Sequence, residues 1–417
     1  MKIKEIDGDT FNEFARKHVL KNFYQTREYG ELMKHSDFQV MYVGGYVDDT
    51  IVAGSLILYK TISLNMKYGY APRGFLVDYY DTDLLTTFTK KIKDFFFKKS
   101  FAFIKINPEI TFAQVDLDGR SKTINSKNRD LIQELKELGY DKLKDNLYFE
   151  SLLPKFTPVI YLPTYNFDKL DEATIHDVND DELSGLRVIN GNEKDLETFY
   201  SFVEDKDNKT FNYYKSLYET FKETDKVDLL LLELNYETYV KYLQKQNIYE
   251  NERNEKINQE FNENPNNTDA YNRKMKSDQI IATISSEIVK ANAKMNDKNL
   301  REILGAAMIV KHEGRITHLI SGYNKTHSDI DVKTFMFYKI IELYKKAGYL
   351  YFDMNGITGD YSDTNPYKDL NKFKLKFNPK VFEYIGEFDL IVNKPFHQLL
   401  WSTHKIQKEF YKPAVKK

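Results

Sequence analysis

The sequence predicts an α/β (α+β) protein of two successive mixed units, the second interrupted by a long helical hairpin. Three observations carry this prediction. Before Val159, apolar β-branched runs alternate with helical stripes, and from Val159 onward the same kind of pattern begins again. Between Tyr236 and Leu300 the composition changes abruptly, to one Pro, no Gly and an abundance of Asn, Lys, Glu and Gln. After Leu300 the α/β pattern resumes, so the polar stretch is an insertion within the second unit.

Taken in order, Phe38–Tyr46 and Ile51–Tyr59 are apolar, β-branched runs around a Val-Asp-Asp-Thr turn and predict a hairpin. Leu84–Lys98 carries Leu84, Leu85, Phe88, Ile92, Phe95 and Phe96 at helical spacing. Phe101–Ile106 reads as an alternating strand, and Arg129–Leu138 as a short helix that stops at Gly139. In the second unit Leu186–Ile189 reads as a strand, Asp195–Val203 as a helix and Val227–Leu234 as a strongly apolar strand. Two helices, Tyr236–Glu260 and Thr268–Met295, flank the breaker Asn264-Pro265-Asn266-Asn267. Apolar residues recur at Tyr236, Tyr239, Val240 and Leu243, and again at Ile281, Ile284 and Ile288. These predict an antiparallel pair projecting ~40 Å at 1.5 Å per residue; the plain alternative for so polar a stretch is a disordered linker. Ile303–Lys311 and Arg315–Ser321 then form a second hairpin candidate, Phe335–Lys346 a helix and Tyr349–Met354 a strand.

Composition sets the outer limits. With 417 residues, 41% of them apolar, the chain is long enough for two or three domains with sizeable cores. Lys+Arg 61 against Asp+Glu 63 leaves a net charge of -2, so no global field draws in nucleic acid or membrane, and such contacts need local patches. The absence of cysteine excludes disulfides, thiol catalysis and thiolate metal sites. The N-terminus is charged, without the apolar run of a signal peptide, and no stretch approaches the ~18 apolar residues of a membrane span. The expectation is a soluble, cytoplasmic protein.

Local motifs narrow the function. Tyr70-Ala-Pro-Arg-Gly-Phe-Leu-Val-Asp-Tyr79, Phe103-Ile-Lys-Ile-Asn-Pro108, Tyr351-Phe-Asp-Met-Asn-Gly-Ile-Thr-Gly359 and Phe373-Lys-Leu-Lys-Phe-Asn-Pro379 occur in that order. Glu383-Tyr-Ile-Gly-Glu-Phe388 and Lys394-Pro395 follow, and Gln25-Thr26 stands near the start. Together with the inserted arm, this series resembles the FemABX family of aminoacyl-tRNA-dependent peptidoglycan bridge transferases. The resemblance implies two tandem GNAT-like (acyl-CoA N-acyltransferase-like) domains, with an antiparallel helical-hairpin coiled-coil arm in the second. The expected division is 1–157, then 158–235 with 301–417, with the arm at 236–300 and the C-terminal segment able to pack back on the first domain. The implied partners are aminoacyl-tRNA and a lipid-linked or nucleotide-linked muropeptide precursor. The protein could also touch the inner face of the membrane or pair with another family member. No metal or organic cofactor is implied.

Aminolysis of an ester needs a neutral amine and passes through an oxyanion that a cation stabilises. The resemblance points to Lys374 for that cation; the plain alternative is a solvent-facing lysine on an alternating strand, since the segment reads NKFKLKF. Arg73 and Asp78 could hold an ion pair or a precursor phosphate. Asp353 and Asn355 stand at a strand end, where α/β sheets place site residues. His318, His327 and His397 lack metal-site spacing and read as ordinary histidines. Lys90, Lys91, Lys93, Lys98 and Lys99 around Phe95-Phe96-Phe97 could meet an anionic surface or form a solvated helix face. Four positions depart from the family pattern. Met33 stands where a phosphate-binding lysine is expected, with Lys34 next to it as substitute. Asn107 replaces an aspartate and Val159 an arginine. An acidic stretch, Asp177–Gly185, read as a loop, takes the place of a basic helix. These departures favour a second reading, a non-catalytic member that binds partners. A third, an acyl-CoA-dependent N-acyltransferase, lacks a clear pyrophosphate loop.

Overall fold

The computed structural model describes residues 1–62, 65–145, 147–149, 152–297, 300–324 and 330–402. The chain begins with β1 (Lys2–Ile6), α1 (Gly8–Lys17), α2 (Arg27–Lys34), β2 (Gln39–Val47), β3 (Thr50–Thr61), β4 (Lys67–Ala71), α3 (Thr82–Lys98) and β5 (Phe101–Ile106). It continues through β6 (Thr111–Val115), β7 (Lys122–Ile124), α4 (Ser126–Glu137), β8 (Tyr140–Lys142) and β9 (Phe156–Tyr161). Next come α5 (Glu172–Leu183), β10 (Leu186–Asn190), α6 (Leu196–Val203), α7 (Phe211–Lys222), β11 (Val227–Asn235), α8 (Tyr236–Glu263) and α9 (Thr268–Asn296). The last elements are β12 (Arg301–His312), β13 (Arg315–Tyr323), α10 (Val332–Lys346), β14 (Tyr351–Asp353), α11 (Lys368–Leu375), β15 (Lys380–Tyr384), β16 (Phe388–Ile391) and α12 (Lys394–Ser402).

One order of elements occurs twice. In the first sheet, β1 is followed by two helices, the antiparallel strands β2, β3 and β4, and the crossover helix α3, which returns the chain as β5 parallel to β4. In the second, β10 is followed by α6 and α7, the antiparallel strands β11, β12 and β13, and the crossover α10, which returns as β14 parallel to β13. Helix starts are set locally: Asp7, Thr26, Asp81 and Asp331 each accept the backbone N–H of the third residue on. The halves share a core in which α2 meets α7, with Phe23 against Phe221 and Lys226 paired with Glu28 at 2.6 Å.

Strand pairing crosses the expected boundary at 157/158 in both directions. β6 and β7 join the second sheet through β15, and β16 inserts between β5 and β8 of the first. β5 is therefore a central strand with all six residues buried, not the alternating strand expected. Its Lys105 is fully buried and is matched by Asp389 of β16 at 2.8 Å. His397 approaches that aspartate at 3.4 Å, and Trp401 donates to His397.

The polar insertion forms two helices that leave the end of β11 and return into β12, and α8 alone is ~42 Å long at 1.5 Å per residue. Along α8 the inward positions include Leu243, Glu250, Asn254 and Ile257; along α9 they include Ala270, Ser277, Ile284 and Ala291. These steps sum to sevens, the repeat of a helix-pair seam. Midway, the seam is polar: Ser277 donates to Glu250 at 2.6 Å and Asn254 to Asp278 at 2.8 Å.

One expectation of local structure is corrected, and one alternative reading is set aside. The acidic stretch is helix α5, because Asp171 caps Thr174, Val178 is buried, and Gly185 supplies a left-handed exit (φ 93°). Lys374 lies on helix α11, because Phe373 and Phe377, one helical turn apart, both pack on Phe337. Among the described residues no helix is long and apolar enough to cross a membrane.

Candidate functional site

A narrow cleft lies where the two sheets meet at the ends of their parallel strand pairs. The first half supplies Asn22, Phe23, Tyr24, Arg73 and Glu109; the second supplies Thr157, His312, Arg315, Thr317, Asp353 and Asn355. Two of these residues hold left-handed backbone conformations, Arg73 after β4 (φ 51°) and Asn355 after β14 (φ 63°). Such conformations cost a non-glycine residue roughly 1–2 kcal/mol and persist where hydrogen bonding over-determines them. Arg73 N donates to Asn107 Oδ1 (2.8 Å), and Arg73 Nη2 to the Pro154 carbonyl (2.9 Å), while its guanidinium lies over Tyr384. Asn355 N donates to Asp353 Oδ1 (2.8 Å), and Asn355 Nδ2 to the Leu319 carbonyl (3.0 Å).

The charges of the cleft centre on Arg315. Its Nη1 donates to Glu109 at 2.5 Å and its Nη2 stands 3.6 Å from Asp353, while its Nε is buried without a partner. Burial alone would raise the Glu109 carboxyl, but Arg315 and Arg73 outweigh it and hold it below the usual range. For Asp353 burial prevails over Arg315, with Glu109 adding to it, and the carboxyl is raised. His312, buried with neither ring nitrogen bonded, is brought down by burial to about 4 and stays neutral.

Lys374 approaches from behind Asn355. Its Nζ donates to the Gly356 carbonyl at 2.8 Å, and the residue is 6% exposed. Burial brings its ammonium down to about 7; Asp353 works against that shift and Lys333 adds to it. Beside it, His318 on β13 is buried with both ring nitrogens unpartnered. A buried lysine with two unspent N–H groups, next to a carboxylate that faces a cleft, can donate to a developing oxyanion.

The FemAB family model matches residues 6–405. The chain belongs to the FemAB family. The Staphylococcus epidermidis protein named aminoacyltransferase FemA is 22% identical over 427 aligned positions, spanning 98% of this chain and all of its own length (100%). The Staphylococcus aureus protein of the same name is 20% identical over 430 positions, spanning 99% and 100%. The crystal structure of FemX superposes with a TM-score of 0.73 at 19% identity, covering 96% of this chain and 100% of that one. The chain thus has the fold of FemX, with the mixed α/β character expected from the motifs.

Of the residues singled out in the sequence, the cleft of this FemAB chain gathers Arg73, Asp353 and Asn355, with Asn107 bonded to Arg73 and Lys374 behind. Arg73 is 6% exposed and committed to its neighbours, so it braces the cleft wall. Two residues stand apart. Lys34 is exposed and paired with Glu31 at 2.8 Å, while Met33 takes the buried face of α2. Asp78 is exposed, accepts from Tyr80 N, and does not pair with Arg73. Val159 is buried in β9. On α3, Phe88, Ile92 and Phe96 face the core, Phe97 is exposed and Lys99 pairs with Glu5. His397 belongs to the Asp389 cluster, and His327 lies outside the described residues. Sequence reasoning missed Glu109, His312 and Arg315. Their shared location arises only when β12, β13 and the segment after β5 come together, and no local pattern marks it.

Proposed function

We propose that this chain transfers an amino acid from aminoacyl-tRNA to the stem peptide of a peptidoglycan precursor, lipid-linked or nucleotide-linked, in building the interpeptide bridge. Two full-length relatives named aminoacyltransferases support a transferase. The observation that carries the reading is the convergence on one cleft of Arg73 from the first half with Asp353 and Asn355 from the second, with Lys374 held behind them on the Gly356 carbonyl.

In this scheme the precursor amine, neutral at the moment it reacts, attacks the ester carbonyl of the charged tRNA. The C–N bond forms, negative charge gathers on the carbonyl oxygen, and the protonated Lys374 donates to it. Collapse breaks the C–O bond and returns the tRNA hydroxyl. Holding Lys374 to the Gly356 carbonyl fixes its position before the charge develops, which is where preorganised donors gain their effect. The residues act without metal or organic cofactor in this scheme. The two-domain division, contact with the inner membrane face and pairing with a second family member belong to the same reading.

A second reading, a non-catalytic binding member, is favoured by one observation. Asp177, Asp180 and Asp181 of α5, with Asp331, line an open groove against Tyr242 and Gln246 at the root of the arm. Such a groove repels a polyanion where basic residues would attract it. The test is to incubate the protein with mixed charged tRNAs and both precursor forms, then measure precursor mass. A tRNA-dependent mass gain supports transfer and identifies the amino acid. No gain, beside an active relative as control, moves the assignment to the binding role.

A further inference from the structure

The two carboxylates of the cleft are unequally engaged. Glu109 is tied directly to a cation, its Oε1 accepting from Arg315 Nη1 at 2.5 Å and from Tyr384 OH at 3.1 Å, which leaves only Oε2 of a carboxylate already held in its charged form. Among the described residues, Asp353 Oδ1 accepts only the backbone N–H of Asn355, at 2.8 Å. The nearest cation to Asp353 Oδ2 is Arg315 Nη2, at 3.6 Å and beyond hydrogen-bond distance. The Asp353 side chain is 16% exposed, so that oxygen is open to the cleft. Its backbone is rigid, since β14 holds Asp353 between Thr317 of β13 and Val159 of β9. A fixed residue with one unspent acceptor, facing the space that substrate must enter, is what proton transfer needs.

We infer that Asp353 is the proton acceptor for the attacking amine. The inference rests on the transfer reading above and names the base in it. The precursor ammonium gives one proton to Asp353 Oδ2 and becomes the neutral nucleophile. After the C–N bond forms and the ester C–O bond breaks, the protonated Asp353 returns a proton to the departing tRNA oxygen. The nitrogen of the new amide sheds its second proton to solvent, so ester and ammonium become amide, alcohol and one released proton.

The surroundings tune this carboxylate. Arg315 faces it from β13, Arg73 from the turn after β4 and Lys374 from α11, all favouring its charged form. Glu109, beyond β5, opposes them, and the Tyr24 and Tyr384 hydroxyls stand within electrostatic reach. His312 lines the same cleft and is neutral. Burial raises Asp353 while Glu109 is held low, and a base nearer neutrality takes the proton of an ammonium more effectively.

The test is the pH profile of transfer by the wild-type chain and by Asp353→Asn, an isosteric change that keeps an acceptor for Asn355 N. Loss of a base lowers the rate about 100- to 1000-fold near pH 6.5. The deficit shrinks as pH rises, because the amine then loses its proton to water. If Asp353 acted only by supporting the Lys374 charge, its removal would lower Lys374 further and the deficit would grow with pH, which overturns the inference. A precursor carrying a less basic amine, 2,3-diaminopropionate in place of lysine, gives a second measurement on the same variant. Partial rescue there supports the proton role and also shows that the variant is folded; an unchanged deficit overturns it. Wild-type protein without transfer would remove the reading itself, whereas active wild type and an unimpaired Asp353→Asn would remove only the inference.

Discussion

The two sheets pass through the same order of strands and helices, yet their parallel pairs end in opposite conditions. At the end of β4 and β5, the polar groups are matched. Asn107 accepts from Arg73 N and donates to Tyr70 OH at 3.1 Å, while Gln25 donates to the Pro72 carbonyl and accepts from Leu56 N. At the end of β13 and β14, capacity is left over, in one oxygen of Asp353, two N–H groups of Lys374 and both nitrogens of His318. Topology offers two equal places for chemistry. Hydrogen-bond accounting selects the second and makes the first its wall.

The sharpest way to break this contrast is Lys374→Ala. Transfer should fall about 100- to 1000-fold, as when one oxyanion donor is lost, while circular dichroism and melting stay near wild type. Lys34→Ala, made beside it, should change the rate less than about 2-fold, since exposed pairs contribute little. The pH sign follows from the lowered value of about 7. The unfolded chain binds the Lys374 proton more tightly, so its burial penalises folding fully below about pH 7, and stability recovers as pH rises from there toward the unfolded lysine value. Lys374→Met should therefore stabilise the fold more at pH 6 than at pH 10 in urea titrations.

The first sheet should instead fail by unfolding. Asp389→Leu removes the fully buried carboxylate that Lys105 meets at 2.8 Å and should cost about 3–5 kcal/mol, whereas the double change with Lys105→Met should cost much less. Equal losses for single and double variants would mean that the pair matters only by shape. Smallest is Asn107→Asp, which the family pattern would suggest as a repair. A carboxylate can still accept from Arg73 N and Tyr70 OH but loses the Nδ2 donor and places a charge at a 3% exposed position, so the change should lower stability by about 1–3 kcal/mol without raising transfer. A rate gain would show that the first strand end also takes part in chemistry.

Helices and hairpins were legible because their periodicity is local. The predicted β2–β3 and β12–β13 hairpins and the arm helices lie within a few residues of those observed. β5 was misread because its neighbour β16 lies far along the chain, and no window around Phe101 reveals that both faces are covered. The segment NKFKLKF satisfies both periods at once. Only the Phe373–Phe377 spacing hints at the helix, and Phe337 decides it. The acidic α5 carried its own start signal in Asp171 and Thr174, but was outweighed by its charge. Motifs brought Arg73, Asn107, Asp353, Asn355 and Lys374 to notice. Arg315 and Glu109, which set the charge of the cleft, stand alone in the sequence and meet only in the fold.

The exchange of strands between the sheets also bears on how the chain is born. When β6 and β7 leave the ribosome, β15, the strand they must pair with, has not yet been made, and β5 waits for β16 and its Asp389. The second sheet has all its strands only when Tyr384 has emerged, and the first only when Ile391 has. Synthesis therefore releases no finished first half that could fold and wait for the second, as happens when domains fold in turn. A message cut short before β16 yields two open sheet edges, which proteases and chaperones meet as one unfinished object.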